Sequence, residues 1–355
     1  MTSKERIRAA LAGKPVDRVP TTMQCVEVTW EKLMKHFNVE SIDQVQDILE
    51  IDTRTMDLPP YKGILPEPYT NEEGETVYRH PIGYDYVNKW NGIEYNAHVV
   101  TYPLDHIETM EDLDAYDGWV NPDEFDYDAV KEFCEKHKDK AIRIGWPGAY
   151  QIITNLINCE QFYIMMIEEP EVLQAILDRH CDRVLEIYRR MFEAAEGNID
   201  FMVCCDDYGT QISLLFSPAM WDEFFAENTK RYVALCHEYN AFYMQHSCGA
   251  VRGIIPNLIA CGVDALEPLQ KVEGLEPAGL VADFGDKLCF QGGIDTQHIL
   301  PLGTPEEVTA ETEAVLRAFS PISGYILCPS QTFEGDVPIE NILAMYEARK
   351  TYMNK

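Results

Sequence analysis

Short apolar runs alternate with longer amphipathic stretches from about residue 140 to the end of the chain. The runs KAIRIGW, IDFMVCC, AFYMQH, VDALEP, KLCFQGG and GYILCP have the length and composition of buried strands. Between them, stretches such as AMWDEFFAENTKRYVALCHEY and TPEEVTAETEAVLRAF repeat apolar residues at intervals of three and four, which indicates helices. Strands and helices that alternate in this way predict βαβ units and a parallel sheet.

Polar or reactive residues follow each of the strand-like runs. Polar and reactive side chains at the carboxyl ends of successive parallel strands are typical of a (β/α)8 TIM barrel. A doubly wound sheet is the alternative, but it normally carries a glycine-rich phosphate turn. The chain contains neither G-x-G-x-x-G nor G-x-x-x-x-G-K-[ST]. We therefore predict an α/β fold of the TIM-barrel class.

The N-terminal part of the chain fits the alternating pattern poorly. Residues 1–75 are expected to form a helical extension, and residues from about 76 to 101 alternate like a small β-hairpin that is inserted at one end of the barrel. No Gly/Ser linker, repeat or low-complexity tract divides the sequence. We therefore predict one domain, residues 1–355.

The net charge is strongly negative. Lys and Arg number 29 and Asp and Glu number 60, which gives a formal charge of −31 at pH 7. Such a field repels nucleic acid and anionic membrane surfaces. We therefore expect neither as a partner, and we expect a small substrate that is neutral or cationic.

The N-terminus and the cysteines indicate a cytoplasmic protein. The first residues, MTSKERIRAALAGK, predict a short amphipathic helix with a capping box from Thr2 to Glu5, and they lack the apolar core of a signal peptide. No stretch approaches 18 uninterrupted apolar residues. The 11 cysteines are then expected to be reduced thiols, of which some bind metal.

A histidine and a cysteine stand two residues apart in FYMQHSCGAV, residues 242–251. On a strand, positions i and i+2 project to one face, so His246 and Cys248 form half of a tetrahedral zinc site. Cys328 ends the last strand-like run and is the best candidate for a third ligand. Cys204 and Cys205 are alternatives, of which at most one faces inward. A packed histidine beside a buried thiol is the structural alternative.

Other side chains at strand ends are candidates for the same site. Glu267 is either a fourth ligand that leaves when substrate enters or a polar residue of the barrel mouth. Asp206 and Asp207 either contact substrate or cap a helix, and Asp295 either contacts substrate or belongs to a tight turn. The predicted substrate-binding residues are Asp206, Asp207, Gln211, Trp146, Gln291 and Asp295.

Several segments resemble those of a known superfamily. They are PVDRVP, HSCGAVRGIIPNLIACGVDALEPLQ, FQGGIDTQHILPLGTPEEV and GYILCPSQTFEGDVPIENILAMYEA. Together they resemble the uroporphyrinogen decarboxylase superfamily, most closely its methyltransferase branch of methylcobamide:coenzyme M methyltransferases and corrinoid-dependent O-demethylases. The resemblance runs through most of the chain and is strongest after residue 200.

The resemblance implies a TIM barrel and a zinc ion that is bound by an H-x-C-G motif and a cysteine after the last strand. These positions correspond here to His246, Cys248 and Cys328. It also implies a corrinoid (cobalamin) cofactor. The D-x-H-x-x-G motif of corrinoid proteins is absent, so we expect the corrinoid on a separate small protein partner. The predicted activity is methyl transfer, with aryl methyl ether demethylation as the favoured reaction.

Two other functions remain open. A decarboxylase that acts on uroporphyrinogen needs several cations, but the family's arginine-bearing segment R-Q-A-G-R is replaced here by PTTMQCVEVTWEKL. A noncatalytic barrel that binds a corrinoid or tetrapyrrole is the second alternative. A zinc ion that is required for methyl transfer separates the leading hypothesis from both.

Overall fold

A parallel sheet forms the centre of the molecule in the computed structural model, which describes residues 1–353. Its strand order is β1-β6-β7-β8-β9-β10-β11, and all neighbouring strands are parallel. This curled sheet, with helices between its strands, confirms the predicted α/β barrel, and β6 to β11 coincide with the six apolar runs. The strands are β1 (Thr53–Met56), β6 (Ala141–Ile144), β7 (Ile199–Cys205), β8 (Phe242–His246), β9 (Ala265–Leu269), β10 (Cys289–Gly292) and β11 (Tyr325–Ile326).

An extended segment around Thr21 fills the eighth position of the barrel. Thr21 forms a parallel bridge with Leu327, directly after β11. On its other side, the Asp52 N–H donates to the Thr21 carbonyl at 3.0 Å, directly before β1. The range 1–75 was expected to be a helical extension, and that expectation missed both this segment and β1. The reason is physical: β1 has only four residues, TRTM, and most of them are polar.

The lower end of the barrel, where the strands begin, is a packed core. Ile7, Ala10 and Leu11 of α1 (Ser3–Leu11) lie against inward-facing side chains that include Phe201 and Met244. The predicted capping box is present, because Thr2 and Glu5 bond each other's backbone N–H. A helix therefore closes this end.

A second, antiparallel sheet precedes β6. It contains β2 (Tyr69–Thr70), β3 (Thr76–Arg79), β4 (Asp85–Trp90) and β5 (Tyr95–Thr101), in that order. A hairpin was expected over about 76–101, and the structure has a meander of three strands there with β2 added at its edge.

The remaining helices surround the barrel and bury a continuous apolar core against it. None of the described helices is both long and apolar enough to cross a bilayer. The helices are α2 (Glu27–Phe37), α3 (Ile42–Ile48), α4 (Met110–Ala115), α5 (Tyr127–Lys136), α6 (Cys159–Glu168), α7 (Pro170–Ala194), α8 (Pro218–Phe224), α9 (Ala226–Glu238), α10 (Ile255–Ala260), α11 (Pro277–Phe284), α12 (Ile299–Leu302), α13 (Pro305–Phe319) and α14 (Ile339–Met353), with short 3-10 turns at Pro122–Glu124, Ile153–Asn155 and Arg252–Ile254.

Candidate metal centre

Three ligand-type side chains converge at the upper end of the barrel, where the strands finish. His246 is the last residue of β8, and its Nε2 lies 3.6 Å from Cys248 Sγ and 3.5 Å from Asp207 Oδ1. The three ligand atoms all lie within 4.8 Å of one another. The structure thus brings together His246 and Cys248, and it adds Asp207, which was expected to contact substrate.

Two loops fix this arrangement by close backbone packing. Gly249 has φ +87°, and a Cβ at this position would lie 2.4 Å from the Gly209 carbonyl, so only glycine fits here. The Cys248 N–H donates to Asp207 Oδ1 at 2.8 Å. The H-x-C-G glycine therefore lets the loop after β8 approach the loop after β7.

Glu267 determines the orientation of the imidazole ring. Its Oε1 lies 3.3 Å from His246 Nδ1, so Nε2 is the nitrogen that faces Cys248 and Asp207. Metal-binding histidines commonly bond a carboxylate through their second nitrogen. Glu267 is 3% exposed and was considered as a ligand itself. In the structure it lies on the opposite side of the ring from Cys248.

Charges around the ring strengthen the interaction between His246 and Glu267. Burial acts to raise the pKa of Glu267, but the hydrogen bond to His246 and the charge of Arg143 hold it below its ordinary value. Burial acts to lower the pKa of His246, but Cys205, Asp207 and the other acidic neighbours raise it well above its ordinary value. Carboxylates therefore face both ring nitrogens, Glu267 at Nδ1 and Asp207 at Nε2.

Cys328 is buried beside this group but is not one of its converging members. Within residues 1–353, the mutually close set contains Asp207, His246 and Cys248 only. The Cys328 thiol lies near enough to Thr22, His246 and Glu267 for all three to affect its pKa. Burial raises the pKa of Cys328 to about 12. Its role as a ligand stays a prediction.

Cys205 is the one of the two alternative thiols that faces inward. It pairs in register with His246 and lines the cavity above the barrel. Cys204 is fully buried and packs in the outer core. Burial raises the pKa of Cys205 to about 11. The alternation along β7 thus leaves one alternative ligand.

A cavity of about 780 Å³ opens beside His246. Aromatic and apolar side chains form much of its wall, and Trp146 is 37% exposed. The expectation that Trp146 and Asp207 contact substrate stays a prediction, and both line this cavity. The cavity wall also includes Trp30, Phe133, Gln24, Asp43, Asp57, Arg54, Arg143, Gln151 and Gln331.

Asp206 faces away from the cavity and holds a loop instead. Its two oxygens accept the backbone N–H groups of Ala149, Tyr150 and Gln151, each at 2.8 Å, and the hydroxyl of Tyr208. Burial raises the pKa of Asp206 to about 6, against the lowering effect of these bonds. Its carboxylate is fully bonded to the protein, which leaves no lone pair that faces substrate.

The other three predicted substrate contacts also bond the protein. Gln291 donates to Glu267. Asp295 accepts the N–H of Gln297 at 2.8 Å in a turn, and the exposed Gln211 lies 3.4 Å from the side chain of Gln270. None of the three is among the residues that line the cavity.

Sequence reasoning missed two residues that lie at the centre of the site. Arg143 is 5% exposed, lines the cavity and lies 3.9 Å from Glu267. An arginine inside the apolar run KAIRIGW was the signal for it. Gln331 donates from Nε2 to Cys248 Sγ at 3.1 Å, and it follows the last strand without any recognisable pattern.

Comparisons with known proteins agree on one family. Residues 92–352 match the family described as uroporphyrinogen decarboxylase (URO-D). The chain is 25% identical to methylcobamide:CoM methyltransferase MtaA of Methanosarcina barkeri, over 99% of this chain and 98% of the relative. It is 22% identical to methylcobamide:CoM methyltransferase MtbA of Methanosarcina acetivorans, with the same coverage.

The fold also has a solved counterpart. A methyltransferase from Methanosarcina mazei superposes with a TM-score of 0.71 at 19% identity, over 99% of both chains. This likeness supports the same barrel architecture along the whole chain.

Proposed function

The chain belongs to the uroporphyrinogen decarboxylase family, and within it we propose a corrinoid-dependent methyltransferase that moves a methyl group between a small methylated molecule and a separate corrinoid protein. The observation that carries the proposal is the convergence of His246 and Cys248 at the cavity, with the imidazole held by Glu267. Full-length similarity to two methylcobamide methyltransferases supports the same activity.

We propose that His246, Cys248 and Cys328 hold a zinc ion, with Asp207 as a competing oxygen donor. One nitrogen and two thiolates are donors that zinc prefers. Bound by these residues, zinc would supply Lewis-acid chemistry toward an oxygen or sulfur atom of the substrate, and a corrinoid on the partner would supply the cobalt that exchanges the methyl group.

The protein's own residues prepare this site. Glu267 bonds Nδ1 of His246, so the lone pair of Nε2 is directed toward Cys248. Gln331 donates to the Cys248 sulfur at 3.1 Å. Burial raises the pKa of the Cys248 thiol above its ordinary value, against the lowering effect of His246. Asp207 fixes the backbone of Cys248. The donors are thus oriented before any substrate enters.

The cavity suits a neutral aromatic substrate. Trp30, Trp146 and Phe133 supply aromatic surface, and Gln24 and Gln331 supply amides. Such a combination fits a methoxylated ring, whose faces stack on aromatic side chains and whose oxygens accept hydrogen bonds. We therefore propose aryl methyl ethers as the methyl donors.

The charges of the cavity argue against decarboxylation of a polycarboxylate. Its two arginines, Arg54 and Arg143, already face acidic partners: Arg54 pairs with Asp43 and Asp47, and Arg143 lies near Glu267. Two arginines that already face acidic groups are fewer cations than a substrate with several carboxylates needs.

Incubation of the zinc-loaded protein with free cob(I)alamin and a panel of methoxyarenes, methylamines and methyl thioethers tests the proposal. We expect the absorption spectrum of methylcobalamin with a methoxyarene. We also expect Cys328→Ser to lose both zinc and methyl transfer, while Cys205→Ser keeps both. Absence of methylcobalamin with every donor would contradict methyl transfer from a substrate, and loss of zinc in C205S alone would replace Cys328 by Cys205 as the ligand.

A further inference from the structure

Arg143 faces the inside of the barrel near its mouth. It belongs to β6, in which Ala141 packs in the lower core, whereas Ile142 and Ile144 pack in the outer core. Because alternate residues of a strand face opposite sides, Arg143 shares the inward direction of Ala141. Arg143 is 5% exposed and lines the cavity. A buried charged side chain therefore borders the space into which a ligand enters.

The guanidinium of Arg143 has hydrogen-bond donors that the protein does not use. An arginine carries five N–H groups. Within residues 1–353, only two acceptors bond or pair with Arg143. Glu267 Oε1 lies 3.9 Å from Nη2, and the amide oxygen of Gln24, when it is turned toward the guanidinium, accepts from Nη1 and Nη2. Nε has no partner among these residues. Buried polar groups are nearly always bonded, so the unused donors indicate a ligand.

Two other buried arginines bond protein acceptors directly. Arg54, which also lines the cavity, donates to the Thr53 carbonyl at 2.9 Å. Arg6, at the lower end of the barrel, donates to Asp52 at 2.7 Å. Arg143 differs from both, because the carboxylate that it faces lies beyond hydrogen-bond distance, at 3.9 Å. Its place at the cavity therefore leaves its donors free.

The charges around Arg143 favour a neutral ligand. Glu267 already faces the guanidinium, and Asp57 and Asp207 line the same cavity. The whole chain has a formal charge of −31. An anionic group beside Arg143 would therefore meet three carboxylates and a single guanidinium. A neutral oxygen accepts the same hydrogen bonds without that repulsion.

Glu267 also places the guanidinium relative to the metal centre. Its Oε1 lies 3.9 Å from Arg143 Nη2 and 3.3 Å from His246 Nδ1, so one carboxylate separates the free donors from the imidazole. Trp146 follows Arg143 by three residues, and its side chain is 37% exposed at the cavity wall. A ring that lies against Trp146 can thus direct one substituent to the metal centre and another to Arg143.

We propose that Arg143 is a specificity-determining residue, which donates hydrogen bonds to a neutral acceptor oxygen of the substrate at a ring position other than that of the transferred methyl group. This inference rests on the proposed function. It narrows the aryl methyl ethers to those with a second, uncharged oxygen. A ligand without that oxygen leaves the donors of a buried guanidinium unpaired, and sites with such a partner discriminate strongly.

Calorimetric titration of the zinc-loaded protein with three ligands of one shape tests the inference. Methoxyacetophenone carries a neutral acceptor oxygen, methoxy-isopropenylbenzene has a methylene group in place of that oxygen, and methoxybenzoate has an anionic oxygen in place of the acetyl methyl group. Each ligand is used in its ortho, meta and para forms. At one ring position at least, we expect the ketone to bind the wild-type protein at least about tenfold more tightly than either analogue.

Substitutions of Arg143 assign this preference to its side chain. Arg143→Met is expected to abolish the preference for the ketone over the isopropenyl compound. R143K, which keeps a positive charge beside Glu267 and has fewer donors, is expected to reduce it. Arg54→Lys changes the other arginine of the cavity, whose donors are bonded to the protein, and is expected to retain it. If Arg143 only supported the fold, R143M would weaken all three ligands alike and leave their ratios unchanged.

Equal affinities for the ketone and the isopropenyl compound at all three ring positions, or an unchanged preference in every folded Arg143 variant, would overturn the role of Arg143. Tightest binding of the benzoate would overturn the choice of a neutral oxygen. Methyl transfer to cob(I)alamin is measured in the same samples. A preference that depends on Arg143 without any methylcobalamin supports the role of Arg143 in ligand binding and contradicts the proposed function. Methylcobalamin without the preference does the reverse.

Discussion

Buried charged and polar groups are bonded differently at the two ends of the barrel. At the lower end, Asp52 accepts from Arg6 at 2.7 Å, from Arg18 at 2.8 Å and from the Thr21 N–H at 3.0 Å. At the upper end, the buried Nε of Arg143 and Oε1 of Gln291 have no hydrogen-bond partner among the described residues.

This difference separates a stabilising end from a functional one. Buried polar atoms are nearly always bonded, so the unbonded Nε of Arg143 on the cavity wall is a group to which an entering molecule can bond. Function in this fold belongs to the carboxyl ends of the strands, and the packed opposite end supports stability. If the two ends are independent, a change at one end leaves the properties of the other unaltered.

The largest effect is expected from the removal of a metal donor at the upper end. His246→Ala and Cys248→Ser are each expected to reduce zinc content from about one ion per chain to none, because two donors do not hold the ion in a site that needs at least three. Elemental analysis after dialysis measures this directly. Cys159→Ser, which changes an exposed thiol on α6, is the control. Full zinc content in C248S would show that the metal centre lies elsewhere.

A large loss of stability is expected at the lower end. Asp52→Asn leaves Arg6 and Arg18 without their shared anion, and the loss of one partner from a buried pair costs about 3–5 kcal/mol. Urea unfolding measures this change in the free energy of unfolding. D17N removes a carboxylate that is 41% exposed from the same Arg6, and we expect less than about 1 kcal/mol there. Zinc content should stay unchanged in both variants, and its loss in folded D52N would contradict the separation of the two ends.

An intermediate effect on the metal is expected from Glu267→Gln. The variant keeps the shape of the side chain and removes the charge that orients His246, and the loss of such a partner weakens metal affinity about 10- to 100-fold. Competition with a chelating dye gives the affinity. E311Q removes a carboxylate that pairs with Lys271 outside the metal centre, and it should bind zinc like the wild type. An unchanged affinity in E267Q would mean that the ring is held by packing alone.

The smallest effect is expected from pH, with opposite signs at the two ends. Asp17 has a lowered pKa because of its hydrogen bond to Arg6, so its stabilising contribution is complete above pH 5 and is lost as pH falls further. Glu334 at the rim of the mouth has a pKa that is raised to about 7 by burial and by Glu94 on the β4–β5 turn. Its contact is therefore favoured at low pH and weakens as pH rises from about 5 to 7.

Hydrogen exchange at several pH values measures the local stability of both ends of the barrel in one experiment. The protection factor, in which the intrinsic pH dependence of exchange is divided out, should fall toward pH 8 over residues 91–95, and E334Q should remove that change. Over residues 1–18 the protection factor should fall only below pH 5. The same pH profile at both ends would contradict the comparison.

Local patterns predicted the parts of the fold whose sequence is regular. Six barrel strands are continuous apolar runs and were found, whereas β1 and the segment around Thr21 are short and polar, so their strand character depends on neighbours distant in sequence. His246 and Cys248 were predicted together from strand alternation, but β8 ends at His246, so Cys248 is brought to the ring by the loop that follows the strand.

The rest of the site depends on contacts between loops, which no local pattern encodes. Asp207 reaches Cys248 because Gly209 and Gly249 let two loops touch. Asp206 was expected to face substrate, and its direction became clear only from the loop amides that it binds.

The central claim is that two thiolates and one imidazole hold a zinc ion at the mouth of this barrel. X-ray absorption at the zinc edge tests it most directly. The account predicts two sulfur neighbours at about 2.3 Å and a nitrogen at about 2.0 Å, with one sulfur lost in C328S. A protein that binds no zinc, or a spectrum whose sulfur count is the same in C328S as in the wild type, would contradict it.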